Sequence, residues 1–156
     1  MRVRRLTAAD ACGVTGYNRD QLRGLLKELP EWATAPAERK ARTYSPQDLV
    51  VLSVIHTLDA VMDIRRKTIA AIFPQLRSVL SGPKRLASSA RLVIAFAPLR
   101  VEYVDGDDAT VEGVVVALQP ILDRIDRYLG SGRAALSEPQ ASLELGPGLL
   151  RTRRRR

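Results

Sequence analysis

The chain has 156 residues, one domain's worth with room for at most a small second unit, which excludes a large multidomain enzyme. It is 46% hydrophobic and 27% charged, ordinary globular material, but only 4% aromatic, which disfavours stacking platforms for single-stranded nucleic acid. One cysteine (Cys12) and one histidine (His56) exclude a disulfide framework and a Cys/His metal cluster, and a formal net charge of +8 directs attention to polyanions.

Thr7 is a good N-cap for a short helix over 7–12, with Gly13 as its stop. After the turn at 13–17, Asn18 and Gln21 have capping-box spacing, and Leu22, Leu25, Leu26 and Leu29 follow at helical intervals, so a second helix is expected to Leu29, before Pro30. Residues 30–43 hold two prolines and the basic group Arg39-Lys40-Ala41-Arg42 without a sustained period, and read as a loop or wing. Ser45, Pro46 and Asp48 then open a third helix, with Tyr44 able to staple onto Leu49. That helix runs through Val61 and is too apolar for a surface element, so it is expected at the centre of the core. Asp63 is the expected cap of a fourth helix reaching Leu80, which Pro74 should kink or divide near Phe73, and Gly82-Pro83 closes the unit.

Beyond 90 the texture changes. Leu92–Phe96 and Arg100–Val104 are short and β-prone, bounded by Pro98 and Gly106. Asp105-Gly106 has the chemistry of a tight hairpin turn, with Thr110–Ala117 as the returning strand. So small a sheet needs cover, which Gln119–Leu129 offers through Ile121, Leu122, Ile125, Tyr128 and Leu129. That face would serve either its own sheet or a twin subunit. Gly130 ends the helix, and 131–156, finishing Arg-Thr-Arg-Arg-Arg-Arg, is expected to be a flexible basic tail, either gripping phosphates or merely solubilising. The expected fold is mainly α with a small antiparallel sheet, in three parts: 1–82, 90–130 and 131–156.

Charge follows the same division. Residues 1–86 carry 15 Lys and Arg against 8 Asp and Glu, whereas 87–150 carry 5 against 9. A basic first half suits a polyanion, and an acidic second half suits protein or small molecules. On the second helix Arg19, Arg23 and Lys27 recur every four residues beside the leucine stripe. A recognition helix in a major groove has this form, since Arg grips guanine O6 and N7 bidentately and Asn18 stands at the N-terminal turn; a solvated amphipathic helix has it too. Arg39, Lys40 and Arg42 sit where no helix rewards charge. Arg65-Arg66-Lys67 falls in a first helical turn, where cations oppose the macrodipole unless a phosphate lies near.

Two short helices around a glycine turn, a basic wing, and a capped helix at Arg42-Thr43-Tyr44-Ser45-Pro46-Gln47-Asp48-Leu49 resemble the DNA-binding domain of the MerR family. Leu6–Thr15 and the helix 49–61 also match, so the resemblance covers about half the chain. It implies a winged helix-turn-helix and a homodimeric transcriptional regulator that reads duplex DNA, with RNA polymerase as a further partner. The implied DNA-facing residues are Thr15, Tyr17, Asn18, Arg19, Arg23 and Lys27 in the groove, with Arg39, Lys40, Arg42, Tyr44, Arg65, Arg66 and Lys67 on flanking phosphates. Gly16-Tyr17 is an extension relative to the family pattern, the family's long dimerising helix is replaced here by the sheet and one short helix, and no cysteine cluster for thiolate sensing of soft metals follows the first domain.

No hydrolase, P-loop or zinc-protease motif occurs, His56 has no partner at ligand spacing, and Asp105-Gly106-Asp107-Asp108 lacks calcium-loop spacing. Neither an enzyme nor a cofactor is expected. With no apolar run of about 20 residues and no signal-like start, a cytoplasmic location is expected. Two other readings remain: an architectural, excisionase-like DNA binder, or a protein-interaction module on the same scaffold.

Overall fold

A computed structural model describes residues 5–33, 41–81, 89–105 and 112–137, the last stretch in backbone alone beyond residue 130. Thr7 opens α1 (Ala8–Thr15), its N–H and hydroxyl both donating to the Asp10 carboxylate, at 2.7 and 2.9 Å. The helix does not stop at Gly13. It continues to Thr15, and Gly16 takes the left-handed cap at φ 91°, which a residue without Cβ adopts freely. Gly13 is instead a packing residue: a Cβ there would lie 2.7 Å from the Tyr128 ring.

Asn18 caps α2 (Arg19–Glu28) as expected. Its Oδ1 accepts from the Gln21 N–H at 2.8 Å, and Gln21 Oε1 accepts from the Asn18 N–H at 2.9 Å. Leu29 is extended, as the residue before a proline prefers to be. After the wing segment, whose residues 34–40 lie outside the described ones, the chain returns in a single bridge between Leu6 and Tyr44. Ser45 and Asp48 then form the expected capping box of α3 (Pro46–His56), which buries every residue from Val51 to Ile55.

The stretch expected to remain α-helical to Val61 changes its winding. Thr57–Val61 is a π-helical turn, closed by Met62 N–H to the Thr57 carbonyl at 3.0 Å and Ile64 N–H to the Leu58 carbonyl at 2.8 Å. That closure places Asp63 at φ 53°, a left-handed conformation that Asp tolerates better than most residues. Asp63 therefore does not cap the next helix. Arg65 stands at the N-cap of α4 (Arg66–Leu80) without a side-chain bond to the helix. Pro74 does not divide α4, which runs unbroken through it. The Gly82-Pro83 stop lies outside the described residues.

Three strands follow: β1 (Ala90–Phe96), β2 (Leu99–Asp105) and β3 (Val114–Ala117), antiparallel in the order β2-β1-β3. The hairpin turn is Ala97-Pro98, with Phe96 opposite Leu99, and β3 pairs with β1, Leu92 opposite Val116. The expected hairpin between β2 and the returning strand is thus corrected, since β3 begins at Val114 and pairs with β1; Gly106 and Thr110 lie outside the described residues. β1 takes the centre because its Leu92, Val93 and Ile94 are all buried, whereas β2 alternates charge and suits an edge. Gly113 admits the pairing, since a Cβ there would meet the Ile94 carbonyl oxygen at 2.4 Å.

The last described helix, α5 (Gln119–Ser137), passes through Gly130, where nothing lies within 4 Å of a would-be Cβ. An exposed helical glycine costs only about 1 kcal/mol, and the Arg133-Ala134-Ala135-Leu136 that follows favours continuation. The expected tail therefore begins as helix, and its terminal arginines lie outside the described residues.

The architecture is mainly α with one small sheet, as expected, but the units 1–82 and 90–130 do not have separate cores. Leu25, Leu52, Phe73, Leu92, Val101, Ile121 and Ile125 belong to one buried cluster. Gln75 of α4 binds β2 twice, accepting from Val101 N–H at 3.0 Å and donating to the Leu99 carbonyl at 3.4 Å. Ile121 and Ile125 are buried in this shared core, with Leu122, Tyr128 and Leu129 packed half-buried against it, so the face expected for sheet cover or a twin subunit is used within the chain.

Candidate functional site

The helical period divides α2 cleanly. Leu22, Leu25 and Leu29 are buried, while Arg19, Arg23 and Lys27 are exposed, as their four-residue spacing requires. Among the described residues Arg23 has only the exposed Asp20 as an ion-pair partner, at 3.5 Å, an attachment worth less than about 1 kcal/mol that a stronger anion can displace. Arg19 and Lys27 form no ion pair among the described residues.

Beside this face lies an open groove of about 550 Å³, walled by the start of α1 (Thr7, Ala8, Ala9), by Arg19, Arg23 and Lys27, and by Trp32, Arg42 and Tyr44. Small residues at Ala8 and Ala9 let a ligand approach the backbone of α1 closely. Aromatic packing fixes the far wall: Trp32 meets Tyr44 edge-on at 6.4 Å and Phe73 at 5.0 Å, and the Arg77 guanidinium stands 5.5 Å from the Trp32 ring. Ala8, Ala9 and Trp32 were not among the residues singled out from sequence; a pair of alanines in a first helical turn was the available signal.

The residues expected at this site separate into three groups. Arg19, Arg23 and Lys27 stand together, with Arg65 and Lys67 exposed in the first turn of α4. A second group is turned inward. Thr15 is buried and its hydroxyl donates to the Ala11 carbonyl at 2.7 Å, because a threonine in the last turn of a helix can satisfy itself on the preceding turn. Tyr17 is buried and its hydroxyl donates to Asp59 at 2.9 Å; burial foremost, then that bond, pushes its pKa up. Tyr44 is buried with its pKa likewise raised by burial, and its N–H donates to the Leu6 carbonyl at 2.9 Å. Asn18 is exposed but its side-chain oxygen is committed to capping.

Arg42 and Arg66 form internal braces. Half-buried Arg42 donates to the Trp32 carbonyl at 2.7 Å, which holds the two ends of the wing together. Arg66 reaches Asp59 through Nε and Glu28 through Nη1, both at 3.4 Å, and its Nη1 would lie 3.6 Å from a Cβ on Gly24. It therefore lies along α2, joined through Asp59 to Tyr17, two residues before the helix, and directly to its last residue, Glu28. Arg39 and Lys40, the third group, lie outside the described residues.

His56 lies at the other end of this brace, edge-on to the Tyr17 ring at 4.7 Å. Burial, then the Arg124 charge, lowers its pKa below the ordinary 6.5, with Asp59 opposing. The fold thus favours neutral His56, and this contribution is complete above about pH 6.5 and lost as pH falls through the lowered folded value. Urea melts at about pH 7.5 and about pH 5 should show the wild-type chain losing more stability on acidification than His56→Gln; equal losses would overturn the assignment.

Among the described residues no group of three His, Cys, Asp or Glu is placed to hold a metal ion, and no helix is long and apolar enough to cross a membrane. Neither a protein-family model nor a curated protein matches the chain.

Proposed function

We propose that this chain is a sequence-reading regulator of transcription that binds duplex DNA with the exposed face of α2 in the major groove. The observation that carries this reading is the row Arg19, Arg23 and Lys27, unburied on the second helix of a helix-turn-helix whose opposite face is core. The resemblance of Leu6–Thr15 and of Arg42–Leu49 to the MerR DNA-binding domain supports it, as does the +8 net charge. Arg65 and Lys67 serve flanking phosphates, and Arg42, Tyr44 and Arg66 keep α2 and the wing in place rather than touching DNA. Homodimerisation would require a surface other than Ile121 and Ile125.

The test is fluorescence anisotropy of the full chain on DNA from upstream of its own gene and on a scrambled duplex, over a salt series. Preference for the upstream duplex that survives moderate salt is expected. Equal affinities falling together with salt would replace sequence reading by an architectural, phosphate-only role, and no binding to either duplex at low salt would overturn the proposal.

A further inference from the structure

Val61, 71% exposed, and Met62, 38% exposed, adjoin one another at the end of the π-helical turn. Backbone bonds from Met62 to Thr57 and from Ile64 to Leu58 close that turn, and Asp63 at φ 53° reverses the chain directly after it. The two apolar side chains are therefore presented on an ordered tip. Arg65 and Lys67 follow, both exposed, while Arg66 between them is turned inward to Glu28 and Asp59. The same turn supplies Asp59, which holds Tyr17 two residues before α2, and Arg66 just beyond it reaches Glu28, so the tip adjoins α2.

We infer that the Val61–Met62 tip is a wedge that enters the minor groove next to the duplex segment held by α2, with Arg65 and Lys67 on the bordering phosphates, and bends the DNA. This rests on the DNA-binding reading above. Two side chains are far too little surface for a stable protein interface, which needs about 800 Å² from each partner. Isolated exposed hydrophobics are ordinary on protein surfaces, but here two adjacent ones sit on a hydrogen-bonded turn next to exposed cations and beside α2. A minor groove accepts this combination: apolar side chains part a base step, cations hold the sugar–phosphate edges, and the duplex kinks by about 20–90° away from the wedge. Flexible pyrimidine–purine steps would be preferred, giving selectivity at base pairs that α2 does not touch.

The experiment uses the full chain on an upstream duplex carrying a donor and an acceptor dye at its ends, reading anisotropy for affinity and energy transfer for bending. Wild type should bring the ends closer. Val61→Ser with Met62→Ser should bind about tenfold or more weakly and leave the duplex straight, with an unchanged salt slope, because apolar contacts release no counterions. Lys67→Ala should lower the salt slope by about one unit and keep the bend. Both wedge residues are exposed, so melting temperature should not change, and Met62→Gln alone serves if the double variant melts early. Wild-type binding without bending, or a double variant that binds and bends like wild type, overturns the wedge and leaves the DNA-binding reading standing. No wild-type binding to any duplex overturns both.

Discussion

A chain carrying Arg19→Ala, Arg23→Ala and Lys27→Ala together should lose at least about a hundredfold in affinity for duplex DNA at moderate salt, with a salt slope lower by as much as about three units. Each cation that meets a phosphate contributes nearly one unit of slope, and one that grips a base edge contributes about 1–3 kcal/mol of discrimination. Single substitutions separate the two roles: a base-reading residue changes preference between duplexes, while a phosphate-binding one weakens all of them alike. All three side chains are exposed and, among the described residues, the only ion pair removed is the 3.5 Å contact of Arg23 with Asp20, so melting should change little. Unchanged affinity in a folded triple variant would show that α2 is not the DNA-contacting face.

Phe73→Ala should have the largest effect on stability, a loss of about 3–5 kcal/mol, readable as a midpoint shift in urea melts. Phe73 is fully buried, with its ring against Trp32 at 5.0 Å and the Arg77 guanidinium at 5.9 Å. Removing the ring opens a cavity beneath the wall of the groove, which closes only if α4 or Trp32 shifts. Phe73→Leu should cost far less, because it restores most of the lost volume. A loss below about 1 kcal/mol for the alanine variant would mean that the Trp32 region repacks freely.

Capping chemistry was the most legible part of the sequence. Thr7, Asn18 and Ser45 each sit where helix starts were expected, since a cap depends on three or four neighbouring residues. The exposed cationic row of α2 was legible for a similar reason, because helical period alone separates it from Leu22 and Leu25. What failed depended on distant partners. Gly13 looks like a helix stop until Tyr128 lies against it, and Asp105-Gly106 looks like a hairpin turn until β1 proves apolar enough to take both neighbours. Arg66 and Lys67 are alike in sequence, yet Glu28 and Asp59 draw one inward and leave the other exposed. Tyr17 was expected at DNA for lack of any sign that a π-helical turn forty residues on would present Asp59 to it.

The contact of Tyr128 with α1 also sets an order of events at the ribosome. Its hydroxyl donates to Asp10 at 3.2 Å across 118 positions of sequence, and its ring lies against Gly13. At about 5–20 residues per second, synthesis of that interval takes about 6–24 s, during which α1 has emerged and its finishing partner has not. The first helix is thus packed by a side chain of α5, a partner from outside residues 1–82. A nascent or truncated chain ending before α5 lacks the Tyr128 contacts with Asp10 and Gly13 of α1, which form only once α5 has emerged.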